Sequence, residues 1–309
     1  MTKLDDKNDT SSQLLREHDV YLLHVMPGLK CNLSCVHCCN DSGPTATVQM
    51  SEEELENVKE CVNRHSPKNL LFTGGEPTLH VRMINQIISS HSNWENLAVQ
   101  ITTNGWYAKG GEKLITKTLK QIVKLDHLQL SYDVFHGSIL TFDDVKELIN
   151  YCSAKKIGFN ISVCISSPLE LEEALKIKRG TGATVIFQTV DASGRAKTNK
   201  KNYVYPFFEK DVLRKKCPNV GQISYICGRG YSTCCSNLMF NQILPNIAHP
   251  NIEDHLGSTF YKNMKNKTFG ELLEENNISV DSLSPEHSSP CGLCEYIHTK
   301  VKIKNGFNK

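Results

Sequence analysis

Cysteine is the residue most able to do chemistry in this chain, and its thirteen copies are unevenly placed. Three of them fall in one short run, Cys31-Asn-Leu-Ser-Cys35-Val-His-Cys38, with Cys39 directly after. Three thiolates at x3 and x2 spacing can converge on one face of a metal centre. Zinc would want a fourth protein ligand, for which Cys39 and His37 are at hand. A cubane [4Fe-4S] cluster would instead take the three sulfurs and leave one iron open to a small molecule. The spacing alone leaves both open. Cys217, Cys227, Cys234 and Cys235 form a second group, and Cys291 and Cys294 a C-x2-C near the end. Cys61, Cys152 and Cys164 stand apart. The first two continue apolar helix faces and Cys164 lies in a strand-like run, so packing in the core is expected of all three.

The composition narrows what these thiols can be for. The chain has 309 residues, 35 Lys+Arg against 33 Asp+Glu and a net charge of +2, which gives no reason to expect a nucleic acid or an anionic membrane. No stretch approaches the roughly 18 apolar residues of a membrane span. The first twenty residues mix acidic, basic and polar side chains and do not read as a signal peptide. A cytoplasmic location follows, where thiols stay reduced and an odd number of cysteines points to metal or catalysis rather than disulfides.

The elements that must position the cysteines show a regular rhythm. Short β-rich apolar runs occur at 21–26, 70–73, 98–102, 128–131, 158–165 and 183–187. Helical patterns lie between them. Ser51-Glu52-Glu53-Glu54 is a capping box, followed by Leu55, Val58 and Val62 at helical spacing. Thr141 to Asp144 repeats the signal before Val145, Leu148, Ile149 and Cys152. Ser167-Pro168 opens a further helix. Strand and helix alternating six times predict right-handed βαβ units and a parallel sheet, with functional groups where strands end and loops begin. After about residue 195 the rhythm stops, and only 270–276 reads clearly as helix. The organisation expected is a polar segment over 1–19, a (β/α)6 core over 20–199 and a cysteine-rich module over 200–309. A module so poor in apolar runs needs another source of stability, such as a metal centre. The basic end, 300–309, reads as solvated.

Cys31, Cys35 and Cys38 after the first strand, together with Gly74-Gly75-Glu76-Pro77 after the second, resemble the radical S-adenosylmethionine (radical SAM) superfamily. The resemblance covers roughly 20–196. It implies an α/β fold, a partial TIM-like (β/α)6 barrel, whose three cysteines hold a [4Fe-4S] cluster. The open iron would chelate the amino and carboxylate groups of S-adenosylmethionine (SAM). Gly74 and Gly75 would let the backbone approach the methionine amine, Glu76 would help fix that loop or the ammonium group, and Pro77 completes the cofactor-binding turn. His37 stands at the aromatic position near adenine. Asn104 after the third strand, Ser131 and Asp133 after the fourth and Arg195 after the sixth stand where related enzymes place groups for the cofactor. Each alone has a plainer reading as a turn or cap; their common placement on one rim favours the functional one.

The second cysteine group resembles the reduced auxiliary-cluster (twitch) module of radical SAM enzymes that modify peptides. The ligands implied are Cys227, Cys234, Cys291 and Cys294, holding a second [4Fe-4S] cluster, with a zinc site as the plainer alternative. Cys235, beside Cys234, is then a spare thiol able to return a hydrogen atom to a carbon radical; Cys234 and Cys217 are the other candidates. This layout is similar to epipeptide-type epimerases, which convert L to D residues in ribosomally synthesised peptides. The resemblance implies a precursor peptide as substrate and an electron donor such as flavodoxin or ferredoxin. Peptide crosslinking, a small-molecule radical reaction and a non-catalytic iron–sulfur or zinc protein are the competing readings.

Overall fold

The structure is a computed structural model that describes residues 12–136, 139–241, 243–244 and 247–304. Of the segment expected at 1–19, residues 1–11 lie outside it; the remainder carries a short helix, Gln13–Glu17, that buries Leu15.

Eight strands form one sheet: β1 (Leu22–Met26), β2 (Asn69–Phe72), β3 (Ala98–Thr103), β4 (His127–Ser131), β5 (Gly158–Ile165), β6 (Val185–Thr189), β7 (Gln222–Ile226) and β8 (Gly230–Ser232). Their order is β6-β5-β4-β3-β2-β1-β7-β8, parallel throughout except for β8 against β7. The sheet is thus an open six-strand α/β half-barrel extended by a hairpin. β7 comes from the cysteine-rich part of the chain and pairs with β1 from Leu22↔Gln222 to Met26↔Ile226, so the sheet crosses the boundary expected near residue 200.

Register explains the two faces. Leu23 opposes Leu70, Phe72 opposes Ile101, Ile101 opposes Leu128 and Leu130 opposes Ile161. These residues are fully or nearly fully buried against the helices. Each is worth roughly 1.5–3 kcal/mol on leaving water. The alternate positions form the concave face and are mostly polar, His24, Thr102, Gln129, Ser162, Cys164 and Ser224, with Met26 and Leu71 among them. A parallel sheet normally hides apolar residues on both faces, and this departure marks the concave face as a lining.

The helices start where their caps predict. Ser51 and Thr141 form complete capping boxes for Glu52–His65 and Phe142–Ala154. β6 runs two residues later than its apolar run, because Gln188 and Thr189 belong to the strand and face the cavity described below. The cysteine-rich part is also more helical than its composition suggests, with helices at Ile252–Gly257, Thr259–Asn266, Phe269–Glu275 and Pro290–Lys304. The last three supply a second apolar cluster that includes Met264, Phe269, Leu272, Leu293 and Ile297 and takes Met26 and Ile226 from the sheet, whereas Ile252, Leu256 and Tyr261 join the first. The basic end begins inside the last helix; 305–309 lie outside the described residues. Among the described residues no helix is long and apolar enough to cross a membrane.

Candidate active site

A cavity of about 610 Å3 opens at the C-terminal ends of the strands and runs down the concave face. That volume suits a small-molecule cofactor with part of a substrate. Cys31, Cys35 and Cys38 line it, and every neighbouring element contributes to holding their loop in place.

The glycine turn holds the loop from one side. Gly75 N–H donates to Gly28 O and Glu76 N–H to Lys30 O, both at 2.9 Å. A Cβ on Gly75 would lie 2.1 Å from Lys30 O, so only glycine permits this approach. Gly74 has φ +122° and accepts Asn40 Nδ2 at 3.0 Å. Glu76 is completely buried. Its carboxylate accepts Thr78 N–H (3.1 Å), Thr78 Oγ1 (2.6 Å), Thr103 Oγ1 (2.8 Å) and Asn104 N–H (2.9 Å). It therefore ties the end of β2 to the end of β3. Pro77 opens the next turn and is buried. Neither Glu76 nor Pro77 lines the cavity, whereas Gly74 and Gly75 do.

The Gly194–Thr198 helix holds the other side. Arg195 donates from Nε to Cys35 O (2.9 Å), from Nη2 to Ser42 O, and from its backbone to Cys38 O (2.9 Å). Ser193 Oγ donates to Cys39 O at 2.9 Å. Gly194, at φ +51°, leaves no room for a Cβ, which would meet Cys39 O at 2.5 Å. Arg195 thus positions the cysteine loop while also lining the cavity.

Around the sulfurs, Leu33 N–H faces Cys31 Sγ at 3.4 Å and Asn104 Nδ2 faces it at 3.7 Å. Burial pushes the Cys31 thiol up, and burial together with Cys38 and Cys31 pushes Cys35 up to about 12. Buried so, Cys31 and Cys35 resist ionisation until a cation is supplied. N–H donors aimed at one of them are what a ligating thiolate uses. The donor set fits a cluster held by three cysteines. His37 stacks against Phe135 (centroids 4.7 Å apart, 34°), and its buried Nδ1 has no hydrogen-bond partner. Burial lowers its pKa to about 4, so it presents a neutral aromatic face to the cavity. Ser131 lines the cavity as well. Asp133 does not: its oxygens accept the N–H groups of Phe135, His136 and Cys164 and face His136 Nδ1 at 2.8 Å. It fixes the loop after β4.

A second, smaller cavity adjoins the first and is lined by Cys217, Cys234, Cys291 and Cys294. Backbone N–H groups of Ser236, Met239 and Leu238 point at the Cys234 sulfur, and Asn219 N–H points at Cys217. Cys291 and Cys294 sit at the start of the Pro290–Lys304 helix. Burial raises all four thiols, and this donor set fits a complete four-thiolate centre. Cys227, expected as a ligand, is not part of it. Pairing of β7 with β1 carries Cys227 into the first core, beside Glu54 and Arg229, and Cys217 occupies the place expected for it. Cys235 lines both cavities, its Sγ 3.1 Å from Asn219 Nδ2. Burial, then Cys234 and Cys217, push its thiol up to about 12.

Residues 25–163 match the radical SAM superfamily. The chain carries a radical SAM domain. Along its length it is 25% identical over 299 residues to YydG of Bacillus subtilis, a protein assigned provisionally to peptide biosynthesis, covering 90% of this chain and 92% of that one. It is 26% identical over 217 residues to the GTP 3',8-cyclase of Listeria welshimeri, 67% of this chain and 63% of that one. In fold it resembles the structure of native anSMEcpe with bound AdoMet and Cp18Cys peptide, at TM-score 0.51 and 16% identity, with 93% of this chain and 99% of that chain covered.

The radical SAM domain shares its cavity with two further cysteines. Cys39 and Cys164 line it, so Cys164 is not simply a core residue, unlike Cys61 and Cys152, which pack in the first core. The alternation of polar residues along β4 and β5 was the signal for Cys164: it follows Asn160 and Ser162 on the concave face. For Cys217 the signal was the Cys-Pro-Asn turn, which folds an amide back onto the sulfur.

Proposed function

We propose that this radical SAM enzyme modifies a ribosomally synthesised precursor peptide by inverting a residue from L to D. Cys31, Cys35 and Cys38 would hold the cluster whose open iron takes SAM. Gly74, Gly75, Asn104, Ser131 and His37 line the space left for that cofactor. When bound, cluster and SAM supply a 5'-deoxyadenosyl radical able to abstract hydrogen from an unactivated carbon. The protein contributes the rest. The polar concave face, with Thr73, Thr102, Gln129 and Gln188 at its surface, offers hydroxyls and amides that match a peptide backbone. The depth of the cavity, with a peptide seated in its mouth, would keep water and stray hydrogen donors away from a carbon radical.

The observation that carries the reading is the position of Cys235. It lines the same cavity as Cys31, Cys35 and Cys38, is held by burial as an S–H, and adjoins the second cysteine group. The peptide loses a hydrogen atom from Cα and becomes a carbon radical. Cys235 gives its hydrogen atom to the other face, which forms the inverted Cα–H and leaves a thiyl. One electron and one proton return the thiyl to a thiol. Cys217, Cys234, Cys291 and Cys294 would hold the second [4Fe-4S] cluster, through which an external one-electron donor such as flavodoxin or ferredoxin could supply that electron. Cys39 and Cys164 share the cavity but line only its larger part. On this reading 20–199 is the radical-generating core and 200–309 the auxiliary module, with β7 as the strand they share.

The test is an anaerobic reaction of the reconstituted enzyme with SAM, dithionite and synthetic peptides from any small open reading frame that neighbours its gene. Chiral amino-acid analysis should find a D residue in a peptide of unchanged mass. A product lighter by two hydrogens would instead make the enzyme a crosslinking one.

A further inference from the structure

The sheet ends on β6, and that edge differs from the rest of the sheet. Ile161 N–H donates to Thr184 O and Val190 N–H to Ile165 O, each at 2.9 Å. In a parallel pair the bonding residues alternate, so the amides of Ile186 and Gln188 also face β5. Those of Val185 and Phe187 face outward. Among the described residues, no hydrogen bond reaches the N–H or C=O of Phe187. The side chains are uncovered as well: Ile186 is 52% and Phe187 57% exposed, and among the described residues no other strand of the sheet exposes a large apolar side chain in this way. An apolar strand with free backbone groups is a template for another strand.

The edge leads into the catalytic cavity. Gln188 pairs with Cys164, and Gln188, Thr189 and Val190 all line the cavity, with Tyr205 beyond them. An extended chain added to β6 would therefore run directly into the space shared by Cys31 and Cys235. This continuity selects the occupant. We propose that the precursor peptide docks as an added strand on the free edge of β6, bonded to the outward N–H and C=O of Phe187. Strand addition gives affinity through main-chain bonds and leaves side chains to fit by pockets. The inference rests on the peptide reading above and adds the surface that feeds the cavity.

The probe is the synthetic peptide, from a small open reading frame neighbouring the gene, that the enzyme modifies in the test above. In the wild-type enzyme, hydrogen exchange at Phe187 should be fast when free and slow at least tenfold with saturating peptide. Phe187→Pro deletes the outward donor while sparing the bonds to β5, and should raise the peptide KM about tenfold with kcat little changed. Phe187→Ala keeps the N–H and should raise KM less than Phe187→Pro. Val123→Ser, at an exposed site in the loop before β4, should leave KM unchanged. Unchanged exchange at β6 in the peptide complex overturns the inference, and does so even if Phe187→Pro fails to fold. So does a Phe187→Pro KM within twofold of wild type. A stable dimer with β6 protected before peptide is added would give the edge to a second copy and also overturn it. If wild-type enzyme modifies the peptide while β6 stays unprotected, only the docking fails; if it neither binds nor modifies any such peptide, the peptide reading falls first.

Discussion

Gly75→Ala probes how the glycine turn and the cysteine loop depend on each other. The new Cβ would stand 2.1 Å from Lys30 O, 2.5 Å from Lys30 C and 2.7 Å from Leu29 C. All three are backbone atoms, so no side chain can swing away. Restoring a tolerable 3.0–3.4 Å to Lys30 O requires Lys30 to retreat by about 0.9–1.3 Å. That retreat breaks the Glu76 N–H···Lys30 O bond and displaces Cys31, the next residue. Overpacking of this kind costs roughly 1–3 kcal/mol, and misplacing a catalytic group by 1 Å costs about 100-fold in rate. The assay is 5'-deoxyadenosine formed per minute by protein reconstituted to equal iron content, alongside a thermal melt. Gly182→Ala is the control: its φ of +75° strains any side chain, yet nothing lies within 4 Å of its Cβ. It should cost about 1–2 kcal/mol of stability and no cofactor cleavage. A Gly75→Ala enzyme that cleaves SAM at the wild-type rate would refute the clamp.

Cys217→Ala should lower the iron content from about eight to about four per chain, while Cys227→Ala leaves about eight, since a cubane holds four irons; the reverse pattern would restore Cys227 as a ligand. Glu76→Gln cannot satisfy both Asn104 N–H and the three donors on the other oxygen, and should lose roughly 1–3 kcal/mol in a denaturant titration. Burial lowers the pKa of His24 to about 4, with Ser224 Oγ and Thr73 Oγ1 beside its ring nitrogens. The unfolded chain binds that proton first, so the contribution of His24 is complete above pH 6.5 and fades as pH falls toward 4. The loss is about 3 kcal/mol in all, and His24→Gln should flatten the slope of unfolding free energy between those values.

Much of the fold could be read from the sequence because its signals are local. The capping boxes at Ser51 and Thr141, and the β-branched runs between them, act within a few residues. The cysteine loop was legible for the same reason, since its three sulfurs lie on one turn of chain. What escaped depends on long-range pairing. Nothing near Gln222–Ile226 announces that this strand joins β1, and that pairing alone removes Cys227 from the second group. The roles of Glu76 and Asp133 were obscured similarly. Their carboxylates look free for a ligand in the sequence, and only the folded chain brings four donors to one and four contacts to the other.

The most direct measurement of the central claim is the fate of solvent hydrogen with and without Cys235. In D2O the wild-type enzyme should place a single deuterium at the Cα of each inverted residue. Cys235→Ser should still form 5'-deoxyadenosine and yield no deuterated D residue. Deuterium installed by Cys235→Ser at the wild-type level would contradict the account and move the donor to Cys39, Cys164 or another group.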